Sequence, residues 1–209
     1  DSWIGLFAPA GTPKPIINKI NAELQKVLAM PDIRQKLLAQ ALAQADKIDT
    51  IYSSDLQRAL ATAQALAQQT GARLVAHVGL RERAFGDFEG RSFAQIELEL
   101  PAQAQLWRTR APDWTPPGGG ESLWVMQHRV MTTVNALAQQ HPGQQIAVVA
   151  HGGVLDLLYR AATQQSLQAP RSWVLGNAVI NRLLWTPQSL TLVGWGDDAH
   201  LHGSLLDEA

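Results

Sequence analysis

Apolar positions along this chain recur with two periods, and the period switches repeatedly. Residues 3–8, Trp-Ile-Gly-Leu-Phe-Ala, form a short apolar run that predicts a strand. After the turn Pro9–Pro15, Ile16, Ile17, Ile20, Leu24, Val27 and Leu28 recur at helical spacing, which predicts an amphipathic helix to about Ala29. Pro31 stops it and opens a second helix, from Asp32 to about Ala45. Ile48–Tyr52 reads as a strand. Leu56, Ala59, Leu60, Ala63, Leu66 and Ala67 make the stripe of a helix that Ser53, Ser54 or Asp55 can cap and Gly71 ends. Arg73–Val78 is a further strand, residues 80–90 an acidic and aromatic loop, and Ser92–Leu106 a helix. Ala111–Gly120 is too rich in Pro and Gly to be regular, and Glu121-Ser122 opens a helix to about Gln140. Gln145–Ala150 predicts a buried parallel strand running into His151-Gly152-Gly153, with a helix over Val154–Thr163. Val179–Trp185 and Leu190–Trp195 predict a hairpin around Pro187, and the tail after Asp197 reads as irregular. Strands alternating with helices imply an α/β fold with a largely parallel sheet.

Composition narrows the classes. The chain has 209 residues, enough for a sizeable core in one domain or two small ones. Hydrophobic residues make up 46% and charged residues 17%, the balance of a globular protein. The net charge is −1 and no basic run occurs, which argues against nucleic acid as a partner, since phosphate neutralisation needs clustered Lys and Arg. There is no Cys, so disulfide and thiol chemistry are excluded. No apolar stretch reaches the roughly 18 residues of a spanning helix, and the acidic start lacks a signal-peptide pattern, so the expected setting is cytoplasmic with no membrane partner.

The His151-Gly-Gly corner is the candidate chemical centre. In an open α/β sheet ligands bind outside the carboxyl ends of the strands, and the first amides of the following helix point at the same place. Arg58 occupies the same type of position, in the first turn of a helix after a strand. Its planar fork suits phosphate. Glu82 lies in the loop that holds Phe85 and Phe88 and can serve as a general acid. Together Arg58, Glu82 and His151 suggest phosphoryl transfer, which depends mainly on positioning and charge stabilisation. Taken one at a time they read otherwise: Arg58 as a solvated helix residue, Glu82 as half of a surface pair, His151 as a packed core histidine. His77, His128, His141, His200 and His202 show no metal-ligand spacing, and Gly118–Gly120 is too loose to be a phosphate-cradling loop.

Several segments carry a family pattern: Ile51-Tyr-Ser-Ser-Asp-Leu-Gln-Arg-Ala59 through Thr62-Ala63, Leu80-Arg-Glu with Phe85-Gly-Asp-Phe-Glu-Gly90, Gly119-Gly-Glu-Ser122, Val149-Ala-His-Gly-Gly153, and Asn177. From about residue 38 onward the chain resembles the histidine phosphatase superfamily, the phosphoglycerate mutase-like proteins. The resemblance implies a mostly parallel sheet flanked by helices on both faces. It implies phosphomonoester hydrolysis or phosphoryl transfer through phosphohistidine, with no metal and no cofactor. Carried over by position, Arg58, His151, Gly152 and Asn177 resemble phosphate-binding residues, and Glu82 resembles the proton donor to the leaving group. The implied partner is a small phosphorylated molecule or inorganic phosphate or sulfate; oligomeric state stays open.

One departure stands out. The family's nucleophile lies in an Arg-His-Gly motif at the end of its first strand, and no Arg-His-Gly occurs in this sequence. Residues 1–37 instead resemble a segment of periplasmic substrate-binding receptors of the tripartite tricarboxylate transporter type. The expectation is a single α/β domain over 1–209 in which this segment replaces the first strand–helix unit, with Ala8-Pro9-Ala10-Gly11 near the place of Arg-His-Gly. Three functions compete: a phosphatase-type scaffold inactive or nearly so, a phosphate-binding module without catalysis, and a phosphatase that uses His151 as nucleophile. A receptor fragment is the weakest reading, because most of such a receptor is absent.

Overall fold

The strand Thr50–Ser53, β1, is buried at every position, and the rest of the α/β architecture is laid against it. The computed structural model describes residues 47–201 together with isolated positions between 19 and 42. The expected strand at 3–8, and with it most of the receptor-like segment, lies outside the described residues. The described positions from 19 to 26 and from 33 to 42 are helical, where the sequence predicts helices.

β1 pairs in parallel with β2 (Arg73–Ala76) on one side and β3 (Ile146–Val149) on the other, giving the order β2-β1-β3. Tyr52 stands opposite Val75 and Val148 in this register. The alternation of side chains along each strand feeds two different cores. On one face Tyr52, Val75, Ile146 and Val148 pack with Leu80 and with apolar residues of two helices, α4 (Leu123–Gln139) and α5 (Gly152–Thr163). On the other face Ile51, Leu74, Ala147 and Val149 pack on Ala63 and Leu66 of α1 (Gln57–Thr70), with Ala39 and Leu42. Helices therefore cover both faces, as the resemblance implies.

Local chemistry explains the boundaries. Gly71 ends α1 in the left-handed conformation at φ 71°, its N–H donating to the Ala67 carbonyl at 2.9 Å. The predicted helix over Ser92–Leu106 is two helices, α2 (Phe93–Glu99) and α3 (Pro101–Arg108). Pro101 lacks the N–H that would continue α2, and its ring disfavours the helical conformation at Leu100. Ser92 caps α2 with a reciprocal bond to Gln95, and Ser122 caps α4 through the Val125 N–H at 3.2 Å.

Two expectations are corrected. The strand ahead of His151 is half-buried at all four positions, and the fully buried strand is β1, which has partners on both sides. The expected caps of α1 also fail: Leu56 is the N-cap residue, and Ser54 turns its hydroxyl elsewhere while accepting from the Leu56 N–H at 3.2 Å. The hairpin forms as β4 (Ile180–Trp185) and β5 (Leu190–Asp197), a separate antiparallel pair. Trp195 of β5 meets Tyr159 of α5 edge to face at 4.8 Å. Among the described residues no helix is long and apolar enough to cross a membrane.

Candidate active site

Parallel pairing brings the carboxyl ends of β1 and β3 side by side, so the residues that follow each strand meet. Ser54 follows β1 and His151 follows Ala150 at the end of β3. The His151 Nε2 lies 2.8 Å from the Ser54 Oγ, across 97 positions of sequence. Both residues are buried, His151 with 6% of its surface exposed. His151 is the N-cap residue of α5, in extended conformation, so its ring stands at the open end of that helix.

Glu82 joins this group through the backbone of α5. Its Oε2 accepts from the Gly153 N–H at 3.0 Å, and its Oε1 accepts from the Arg83 N–H at 2.9 Å. A Cβ on residue 153 would collide with the Glu82 carboxylate and press the Met126 methyl at 3.1 Å, so glycine is what lets Glu82 sit where it does. The neighbouring Gly152 is exposed, leaving the first turn of α5 open to a ligand.

Arg58 lies in the first turn of α1 with an exposed side chain. Burial pushes the His151 imidazole below its ordinary value of 6.5, and the Arg58 charge adds to that effect. Glu82 and Asp55 pull the other way. The Arg81 guanidinium grips Asp55 at 2.7 and 2.5 Å and holds its carboxyl below the usual carboxylate range. His151, Ser54, Glu82, Gly152 and Arg58 thus surround one helix terminus. Asn177 is exposed, in the turn before β4, and among the described residues no hydrogen bond ties it to this group. Among the described residues no three His, Asp or Glu side chains converge into a metal-binding cluster.

The α5 terminus supplies the positive end of a helix dipole beside the His151–Ser54 pair, and Arg58 carries a guanidinium whose charge is felt at His151. Ser54 and the Asp55–Arg81 pair were not singled out as part of this group from sequence. The usable signal was position: Ser54 follows β1 as His151 follows β3.

A family model described as the histidine phosphatase superfamily, branch 1, matches residues 33–198. The chain belongs to that superfamily. Among its relatives in that superfamily, phosphoglycerate mutase-like protein 4 of Arabidopsis thaliana is 33% identical over 165 residues, covering 78% of this chain and 71% of that protein. The metal-independent phosphoserine phosphatase of the same plant is 30% identical over 185 residues, covering 88% and 76%. Among solved structures, mycobacterial glucosyl-3-phosphoglycerate phosphatase complexed with inorganic phosphate superposes with a TM-score of 0.68 at 30% identity, covering 79% of this chain and 85% of that one. The same mycobacterial enzyme has also been solved with VO3.

Proposed function

We propose that the pocket at the ends of β1 and β3 binds the phosphoryl group of a small phosphomonoester, or inorganic phosphate, through Arg58, His151, Ser54 and the first amides of α5. The observation that carries this reading is the buried His151 at a helix N-terminus, within the field of Arg58 and with Glu82 bonded to the next turn. The phosphate complex of the mycobacterial relative supports it. In this reading Glu82 is the proton donor to the leaving group, and Asn177 is an outer polar contact.

Turnover is a separate matter. The sequence contains no Arg-His-Gly, so we assign this chain a grip on phosphoryl groups and hydrolysis near background. Loss of a catalytic nucleophile costs on the order of 10⁴–10⁶ in turnover. In this reading the chain forms one α/β domain, and residues 1–37, with their receptor-like pattern, fill the missing first strand–helix unit. Among the described residues β2 and β3 each pair on one edge alone, so the sheet has edges that a further parallel strand could extend.

The test is calorimetric binding of inorganic phosphate and vanadate beside turnover of para-nitrophenyl phosphate, each repeated with His151→Ala. Binding that weakens in the variant, with turnover at background, is expected. Turnover that disappears in the variant would establish the third reading, a phosphatase using His151. Absence of phosphate binding to the wild-type chain would remove the pocket altogether.

A further inference from the structure

At the far end of α5 from His151, two buried side chains in contact with each other each carry an N–H without an acceptor. Arg160 lies in the last turn of α5 and is 0% exposed. Its Nε donates to the Asp156 Oδ2 at 2.9 Å and its Nη1 to the Ser166 carbonyl at 2.5 Å. Its Nη2 is buried and finds no partner. Trp173, 8% exposed, belongs to the segment after α5, and its Nε1 is also buried without a partner. The Arg160 guanidinium carbon lies over the Trp173 ring, 4.7 Å from its centre. Tyr159, the neighbour of Arg160 on α5, stacks on the same indole at 4.1 Å. The Trp173 ring is therefore fixed by two adjacent residues of the helix, and its N–H is fixed with it.

Guanidinium and indole nitrogens can only donate, so whatever completes this pair is an acceptor. A buried donor left without one has given up its bonds to water for no return, and native structures rarely leave such a group unmatched. The surrounding charge selects the kind of acceptor. Asp156 accepts from Arg110 at 2.7 Å, from Arg160 at 2.9 Å and from Arg171 at 3.1 Å. Three guanidiniums thus share one carboxylate. The imbalance is felt at Arg110: burial first, and then the charges of Arg160 and Arg171, hold its guanidinium below the ordinary value against the pull of Asp156. Buried positive charge in excess of its partners favours a negative acceptor over a neutral one.

We propose that Arg160 and Trp173 bind a chloride ion, which accepts from the Arg160 Nη2 and the Trp173 Nε1. A monatomic ion suits a site whose arginine is wholly enclosed, where a branched oxyanion would have to push the stacked rings apart. The ion ties the segment after α5 to the last turn of the helix. It stands roughly 14 Å along the α5 axis from His151 and uses none of the residues assigned to the phosphoryl pocket.

The test uses the full chain, melted in sodium chloride and in sodium gluconate at equal ionic strength, gluconate being too large for an enclosed site. Chloride at about tenfold its dissociation constant should raise Tm by roughly 3–6 °C over gluconate. Trp173→Phe keeps a ring against Arg160 and removes only the indole N–H side of the pair, and in it the chloride rise should shrink to under about 1 °C. His151→Ala should show the full rise, because the phosphoryl pocket has no part in it. A crystal of the wild-type chain soaked in bromide supplies a readout that needs no variant: an anomalous peak is expected within hydrogen-bond reach of both the Arg160 Nη2 and the Trp173 Nε1. Equal melting in the two salts, a rise undiminished in Trp173→Phe, a rise lost in His151→Ala, or no anomalous peak at these two nitrogens would each overturn the assignment.

Discussion

His151 is the residue on which the pocket's pH behaviour turns. Its folded-state pKa lies below its ordinary value of 6.5, so folding favours the neutral ring. The stabilising contribution is complete above about 6.5 and is lost as the pH falls through the folded value. Chemical unfolding of the wild type at a series of pH values should therefore show stability falling below about pH 6.5, and His151→Asn should flatten that fall. Arg58 is one cause of the shift, so Arg58→Gln should move the His151 titration upward, read from the imidazole proton resonances. An unmoved resonance would separate the two residues. The same substitution should weaken phosphate binding by roughly tenfold, the worth of one charged contact. At this scale the sequence was informative about which residue types matter, because His, Arg and Glu at strand ends carry chemistry in their side chains. It was silent on Ser54 as a partner of His151, since a serine after a strand looks the same whether it caps a helix or meets a residue 97 positions away.

At the scale of elements, α5 is the part that cannot tolerate small changes. Gly153 lets Glu82 approach its backbone, and the apolar face of α5 packs under it through Val154, Leu157 and Leu158. Gly153→Ala should cost about 1–3 kcal/mol by overpacking and should displace Glu82. The checks are a thermal melt and phosphate calorimetry; an unchanged melt would mean that the Glu82 carboxylate simply swings aside. Most elements could be read from periodicity, because α1, α4 and α5 each bury one clear stripe. The failures have local causes. Pro101 divides a stripe that is continuous in hydrophobicity, and apolar content alone could not rank β1 above β3 in burial. That ranking depends on which strand has neighbours on both sides, which is a property of pairing and not of composition.

Over the whole molecule, one buried carboxylate holds three separate stretches together. Asp156 on α5 binds Arg110 from the turn after α3, Arg160 one turn along, and Arg171 from the segment that follows α5. Arg160 continues the tie to the Ser166 carbonyl at 2.5 Å, and Arg110 to the Leu167 carbonyl at 2.6 Å. Removing the carboxylate leaves three cations facing each other in a partly buried site. Asp156→Ala should cost about 3–5 kcal/mol, a fall in Tm of roughly 6–20 °C for a chain of this length. Scanning calorimetry would measure it, and a fall under about 2 °C would show that the arginines simply relax into water. The fold class was legible in the order of strands and helices, and the superfamily in its motifs. The strand order and this clasp were not, because both join residues that sequence spacing does not relate.

The short contact between Ser54 and His151 carries a further meaning for ligand entry. While the imidazole is neutral and its Nε2 bare, the serine hydroxyl points its hydrogen into the ring and offers an approaching anion only lone pairs. Once the ring takes up a proton, Nε2 becomes the donor, and the hydroxyl hydrogen is released to swing toward the opening. In the phosphoryl pocket proposed above, one proton on the ring thus frees one hydroxyl hydrogen for an incoming anion, by rotation about a single C–O bond.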